Sequence, residues 1–283
     1  MTGPGEWTAA HAVEHLRMPT AHSHKYSRGV IGLRTGSTAY PGAAVLTVEG
    51  AARAGAGMVR WLGAPDVARL VLQRRPEAVT AEGRVDAWAV GSRTDPADRA
   101  PEETDRLRAL LAGDAPVVAD AGALDLVAGA AAPLVVTPHA GEFARLRAAL
   151  GLDREGDGID AVAETAAALG GVVLRKGADT LVATPGGWTT TVRAGTPWLA
   201  TAGTGDVLTG VLGALVAAGA ATGRLGVEDL GPLAASAAWL HGTAGRLAAR
   251  GGPVTALDVA ERLPAAFASA HARDGIDADH GRA

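Results

Sequence analysis

The run Ala200-Thr-Ala-Gly-Thr-Gly-Asp-Val-Leu-Thr-Gly210 sets a carboxylate, Asp206, directly after two glycines and at the start of an apolar stretch of helical spacing. Gly203 and Gly205 permit backbone angles closed to other residues. Successive N–H groups at a helix N-terminus form an anion site, and glycine lets the anion come close. The natural anion is the terminal phosphoryl group of a nucleotide. A carboxylate beside a phosphate is repelled unless it has a task. The task open to Asp206 is to accept the proton of a hydroxyl that attacks phosphorus. The helix dipole favours its ionised form by roughly 0.3–1 kcal/mol. A base this weak suffices where the transition state is loose and the proton leaves late. The same four residues also fit an ordinary helix start with Asp near the cap, so the motif alone leaves both readings open.

Other phosphate-binding patterns are absent. Gly-x-x-x-x-Gly-Lys-Ser/Thr does not occur, and Gly29 and Gly32 are wrongly spaced for Gly-x-Gly-x-x-Gly. Lysine is rare: Lys25 and Lys176 stand among many arginines. Lys176 leaves a β-rich run, and Gly177 allows a turn against a phosphate or ribose; a solvated strand-end lysine is the plain alternative. There is no cysteine, which rules out disulfides, thiolate metal sites and Cys nucleophiles. His11, His15, His22 and His24 lack carboxylate company and read as solvated. Ser236 and His241 lie on a helical stretch without a nucleophile turn, so a hydrolase triad is not expected. Trp61, Trp88, Trp188 and Trp239 read as core or interface fillers. Trp198, inside the Asp206 motif, is the exception.

These residues need a scaffold. A chain of 283 residues can bury a large core without staples. Strands are expected at Val30–Leu33, Met58–Leu62, Ala87–Val90, Val117–Asp120, Leu134–Thr137, Val172–Leu174, Thr180–Ala183 and Trp188–Val192. Helices are expected at Gly42–Ala56, Ala64–Gln73, Pro96–Ala112, Gly141–Ala149, Ile159–Leu169, Gly205–Ala218, Val227–Arg250 and Ala256–Ala268. Strands that are mostly short and apolar throughout, alternating with helices, predict an α/β fold. Its mainly parallel central sheet lies between two helical layers, a three-layer α/β/α sandwich. Thr184-Pro-Gly-Gly187 predicts a hairpin, hence antiparallel strands late in the sheet. No linker divides residues 1–283, which read as one domain with polar termini at about 1–20 and 274–283; Gly151–Gly158 reads as a mobile loop. A net charge of −4 gives no case for nucleic acid as a partner. Residues 1–20 lack a signal-peptide core, and no apolar run spans a bilayer, so no membrane partner is expected. The missing cysteine leans towards the cytoplasm.

Five segments in one order resemble the ADP/ATP-dependent NAD(P)H-hydrate dehydratase family of the ribokinase-like superfamily. They are His24–Ala43 with the Ala-Ala-Arg-Ala-Gly-Ala-Gly stretch at 51–57, Val117–Leu124, Val136–Leu146, Val173–Thr180 and Thr196–Gly210. Together they cover about two thirds of the chain; the third and fifth are the most specific. The resemblance implies a ribokinase-like fold and a repair reaction. A nicotinamide ring damaged by hydration, NAD(P)HX, is phosphorylated on its hydroxyl by ADP or ATP, ADP being favoured, and phosphate is then eliminated. Phosphate leaves where hydroxide would not, and the ring nitrogen's lone pair restores the dihydropyridine.

The resemblance also implies roles. Asp206 takes the hydroxyl proton. Gly203, Thr204 and Gly205 form the anion hole. Lys176, Gly177, Ala178, Asp179 and Thr180, with Gly205, bind the nucleotide. Ala43, Gly91, His139 and Asp206 line the hydrate pocket. Glu142 reaches Mg2+ through water, as suits a metal that keeps its waters. On its residues alone, His139 fits a helix start and Glu142 a first-turn acid. Asp120, at a strand's C-terminal end, is a lesser candidate. The family's Gly-Pro-Gly-Leu-Gly is replaced by Gly91-Ser-Arg-Thr-Asp95, where Arg93 is placed to contact a phosphate instead; the stretch Arg193–Pro197 departs as well. The resemblance further implies a separate NAD(P)HX epimerase acting alongside and a homo-oligomer, a tetramer. A vitamin kinase of the same superfamily, acting on a hydroxymethylpyrimidine or thiazole alcohol, would share Asp206 and the anion hole. A nucleotide-binding regulator without activity is the non-catalytic alternative.

Overall fold

A computed structural model describes residues 3, 5–92, 94, 96, 97 and 99–279, the last eight as backbone only. The chain runs α1 (Ala9–His15), β1 (Val30–Arg34), α2 (Pro41–Arg53), β2 (Met58–Trp61), α3 (Pro65–Arg74), β3 (Ala87–Val90), α4 (Pro101–Leu111) and β4 (Val117–Ala119). It continues with β5 (Leu134–Val136), α5 (Ala140–Ala149), α6 (Ile159–Leu169), β6 (Val172–Arg175), β7 (Thr180–Ala183), β8 (Thr189–Val192), α7 (Thr204–Ala220), α8 (Leu230–Ala249) and α9 (Ala256–Asp279). Short 3-10 helices at Ala121–Asp125 and Pro197–Leu199 were not foreseen.

The eight strands form one sheet in the order β2-β1-β3-β4-β5-β6-β7-β8. Pairing is parallel from β2 to β6 and antiparallel from β6 to β8, with Thr184–Gly187 as the expected turn. Burial on both faces explains why the central strands β3, β4 and β5 read as unbroken apolar runs, whereas the edge strands β2 and β8 alternate. Val118, Val135 and Leu174 point into a core with α2, α7, α8 and α9. Their neighbours Val117, Ala119, Val136 and Val173 point into a second core with α4, α5 and α6. The sandwich is therefore three-layered.

Helix α7 is clamped onto α2. A Cβ on Gly210 would lie 2.2 Å from the Thr47 carbonyl oxygen, and one on Gly50 would lie 2.3 Å from that of Val207. Only glycine at both places allows the two backbones so close, and this contact fixes the rotation of the helix that starts at Asp206's turn.

Several expectations change. The N-terminus is not a polar tail: Trp7, Ala12 and Leu16 are buried, and α1, capped by Thr8, packs among them. His15 is accordingly not solvated but half-covered against the Trp7 ring, 5.6 Å between centroids. Helix α4 begins at Pro101 rather than Pro96. Either proline suits a first helical position. The buried Arg99 side chain decides: it donates to the Gly122 carbonyl and Asp125, tying the residue two before Pro101 to the 3-10 helix. The loop 151–158 is held at one point, because the buried Arg147 donates to the Asp153 carbonyl and, from the same guanidinium, to Ala161 and Thr165. At the C-terminus α9 continues past the expected Ala268 to Asp279. Residues 280–283 of the expected polar tail lie outside the described residues, as do Arg93 and Asp95.

Candidate active site

The strand order reverses between β1 and β3: β2 lies to one side of β1, and β3 and all later strands to the other. Helix α2 leaves β1 over one face and α4 leaves β3 over the other. Beyond the C-terminal ends of strands at such a switch, an open α/β sheet has its crevice. A cavity of about 340 Å3 lies there, lined by Arg34, Gly36, Ser37, Thr94 and Arg99 among others. A larger one of about 1320 Å3 sits by Arg28, Gly55, Leu215 and Phe267, where β1 begins and α7 ends. None of the expected site residues lines either cavity; they gather beside the smaller one, at the C-terminal ends of β4, β5 and β6.

Asp120 is the hub. It is buried at the end of β4. Its Oδ1 accepts from Lys176 Nζ at 2.7 Å and from Thr137 Oγ1 at 2.7 Å. Its Oδ2 accepts from Thr209 Oγ1 at 3.1 Å and Ser92 Oγ at 3.3 Å. One carboxylate thus ties the ends of β3, β4, β5 and β6 to the second turn of α7. Burial alone would raise the Asp120 pKa, but the Lys176 charge and the bonds from Lys176, Thr137 and Thr209 outweigh it and hold the group below its ordinary value. For Lys176 burial works downward, and the charges of Asp120, Glu142 and Asp206 outweigh it, so the ammonium is held above its usual range. Sequence reasoning ranked Asp120 too low and missed Thr137, Thr209 and Ser92. The available signal was an Asp ending a fully apolar strand.

Lys176 follows β6, pinned by its N–H to the Pro138 carbonyl at 2.9 Å. Its ammonium is 3.9 Å from Glu142 Oε2 and 3.7 Å from where a Cβ on Gly205 would stand. Gly177, Ala178 and Asp179 form an exposed turn into β7, which Thr180 opens. Asp179 is engaged by Arg193 at 2.9 Å, on the outer side of the turn.

Gly203 is the N-cap of α7, with φ +90°, a value L side chains rarely adopt. Thr204 is turned inward, its hydroxyl within 2.8 Å of the Leu199 carbonyl and 2.9 Å of that of Thr201. Asp206 lies in the first turn, 9 % exposed, in the field of Lys176.

His139 caps α5. Its Nδ1 accepts from the N–H groups of Gly141 (3.1 Å) and Glu142 (3.4 Å), so the ring proton sits on Nε2, 3.3 Å from Glu142 Oε1. Glu142 Oε2 accepts in return from the His139 N–H at 2.8 Å. The helix-start reading of His139 therefore holds, and the exposed ring still borders the site. Gly91, with φ +102°, is pressed against the Asp120 carbonyl, which a Cβ would approach to 2.1 Å. Its own carbonyl accepts from Thr94 and Gly122, so it shapes the crevice floor. Ala43 is buried in the first turn of α2. Trp198 is 43 % exposed, at the approach to Gly203.

The family model described as NAD(P)H-hydrate dehydratase matches residues 30–264. The chain belongs to the NAD(P)H-hydrate dehydratase family. Among relatives, the bifunctional NAD(P)H-hydrate repair enzyme Nnr of Mycobacterium tuberculosis is 45% identical over 221 residues, covering 73% of this chain and 45% of that protein. The enzyme of the same name from Corynebacterium glutamicum is 36% identical over 289 residues, 89% of this chain and 49% of its own. The chain thus spans about half the length of these curated relatives. Of solved structures, the ADP/ATP-dependent NAD(P)H-hydrate dehydratase of Bacillus subtilis, co-crystallised with ATP and Mg2+, superposes with a TM-score of 0.80. It is 28% identical and covers 94% of this chain and 98% of that one. The hydroxyethylthiazole kinase protein of Pyrococcus horikoshii, at 18% identity and TM-score 0.57, shares the fold alone. Dehydratase-family membership accounts for the order of the five segments.

Proposed function

We propose that the protein is an ADP- or ATP-dependent NAD(P)H-hydrate dehydratase, with ADP the preferred donor. The observation that carries this is Gly205. A Cβ there would meet only the Lys176 ammonium, at 3.7 Å, an ordinary contact. Packing does not demand glycine at 205, whereas it does at 203. What glycine leaves open is the space between a helix-start amide and an ammonium, where a phosphoryl group finds donors on both sides.

The nucleotide lies along Lys176–Thr180 with its terminal phosphoryl on the amides of Gly203, Thr204 and Gly205. The hydrate lies over Ala43, Gly91 and His139. Asp206 accepts the hydroxyl proton as the oxygen of that hydroxyl bonds to phosphorus and the P–O bond to AMP breaks (to ADP when ATP is the donor). Phosphate then leaves with the C–O bonding pair, a ring proton is lost, and the double bond returns. Lys176, held charged by Asp120, balances the phosphoryl charge throughout. Magnesium fits as an ion carried by the nucleotide; among the described residues no group of three His, Asp or Glu side chains is arranged to hold a metal by itself. Both Glu142 oxygens are engaged with His139, so Glu142 would hold such an ion through its waters rather than directly. When bound, the ion screens the phosphoryl oxygens.

The decisive assay mixes the protein with hydrated NADH, Mg2+ and ADP and follows the reduced-nicotinamide absorbance. Recovery is expected. Asp206→Asn should lower kcat by about 10²–10⁴-fold while ADP still binds. No recovery with either nucleotide, alongside turnover of a thiazole or pyrimidine alcohol, overturns the proposal. The same reading places one domain over 1–283, working in the cytoplasm as a homotetramer beside a hydrate epimerase. Its relatives are bifunctional, and among the described residues no helix is long and apolar enough to cross a membrane. Sedimentation equilibrium checks the tetramer.

A further inference from the structure

Against the first turn of α7 lies a buried imidazole that the chemistry above does not use. His241, on α8, is 8 % exposed, and its Nε2 is buried with no hydrogen-bond partner among the described residues. A buried ring nitrogen left unpaired is unusual and has to be accounted for. The ring lies against the Thr204 main chain, in the field of Lys176, without forming a full hydrogen bond.

The same stretch of α8 also supports the segment leading into α7. Cβ atoms on Gly242 and Gly245 would come within 2.7 Å of the Ala194 carbonyl carbon and of Leu199 Cδ2. Leu199 in turn offers its carbonyl to the Thr204 hydroxyl. Thr204 is therefore approached from two sides, its hydroxyl by the 194–199 segment and its main chain by His241. Thr204 stands between the two glycines whose amides converge on the anion.

We propose that His241 is a positioning residue for the phosphoryl site: when an anion draws in the first turn of α7, Nε2–H closes onto the Thr204 carbonyl and holds the 203–205 amides in place. This rests on reading the α7 N-terminus as the phosphoryl site. The carbonyl of Thr204 has a second lone pair for the bond beside its helical one. Burial, with the Lys176 charge adding to it and the Thr204 main chain opposing, pushes the ring down to about 4. The ring is thus neutral at working pH and adds no charge of its own to the site.

The test pairs a spectroscopic titration with two variants. In 15N-histidine-labelled wild-type protein, adding Mg2+ and ADP should shift the His241 Nε2 resonance; no shift on saturation overturns the inference without requiring any variant to fold. H241L fills the volume without a donor and should lower kcat roughly 10- to 100-fold with KM for ADP within about threefold. H241Q, whose amide nitrogen reaches the Nε2 position, should recover most of that loss. Equal loss in both variants, or wild-type turnover in H241L, overturns the proposal. Asp206→Asn is run in parallel. Normal turnover there defeats the site reading itself, while a dead Asp206→Asn beside a silent His241 defeats only the present inference.

Discussion

Asp120 shows how much of a site can rest on one buried carboxylate. Asp120→Asn leaves the Lys176 ammonium without its counter-charge, and breaking such a pair should cost about 3 kcal/mol, checked by urea unfolding at pH 7. The pH dependence follows from the directions of the two shifts. The depressed Asp120 stabilises the fold fully above the ordinary carboxylate value of about 3.9, and that share is lost as pH falls through its lower folded value. The raised Lys176 contributes fully below about 10.4 and loses its share as pH climbs through its higher one. The wild-type advantage over Asp120→Asn should therefore shrink below about pH 4; an advantage that persists there means the pair is not ionised in the fold. At this scale the sequence was uneven. Asp206 and Lys176 announced themselves by glycine spacing and by rarity. The hydroxyls that complete Asp120 did not, because Thr209 lies 89 positions away and no local pattern marks a threonine that will meet a distant carboxylate.

At the scale of elements, α7 must be held in rotation to keep Asp206 in the field of Lys176. Gly210→Ala drives a methyl to 2.2 Å from the Thr47 carbonyl oxygen. It should cost about 1–3 kcal/mol and lower kcat beyond what the stability loss explains, since the first turn of α7 swings with the rest. Trp7→Ala is the contrasting case. It should cost about 3–5 kcal/mol and leave the nucleotide Kd unchanged, because α1 packs behind α8 and α9; thermal melts with and without ADP separate the two. All eight strands were legible, most of them as short apolar runs closed by Gly, Pro or Asp and β8 as a β-branched run after a turn. Helix α1 was not. Its seven residues bury little beyond Ala12, and the Trp7 anchor precedes it, so no periodicity rises above the polar surroundings. The start of α4 was misplaced because two prolines qualify equally and the choice falls to a contact made by Arg99 across the fold.

At the scale of the whole molecule, acid sensitivity should be set by buried imidazole. His241, held at about 4 in the fold against about 6.5 unfolded, costs stability as pH falls between those values, since the unfolded chain then binds the extra proton. The loss is roughly 2–3 kcal/mol by pH 4.5. His15, lowered by its burial despite Glu14, acts in the same direction. Melting wild type and H241Q at pH 7 and pH 4.5 checks this: the drop should be smaller in the variant, and an equal drop assigns the acid limb to other groups.

The clamp between Gly50 and Gly210 has a consequence for synthesis. Helix α2 ends at Arg53 and its partner α7 at Ala220. While the ribosome adds the ~170 residues between them, roughly 10–30 s at ordinary elongation rates, a groove shaped to admit bare backbone has nothing to receive. Throughout that interval the Gly50 face of α2 is without the helix it is shaped to receive.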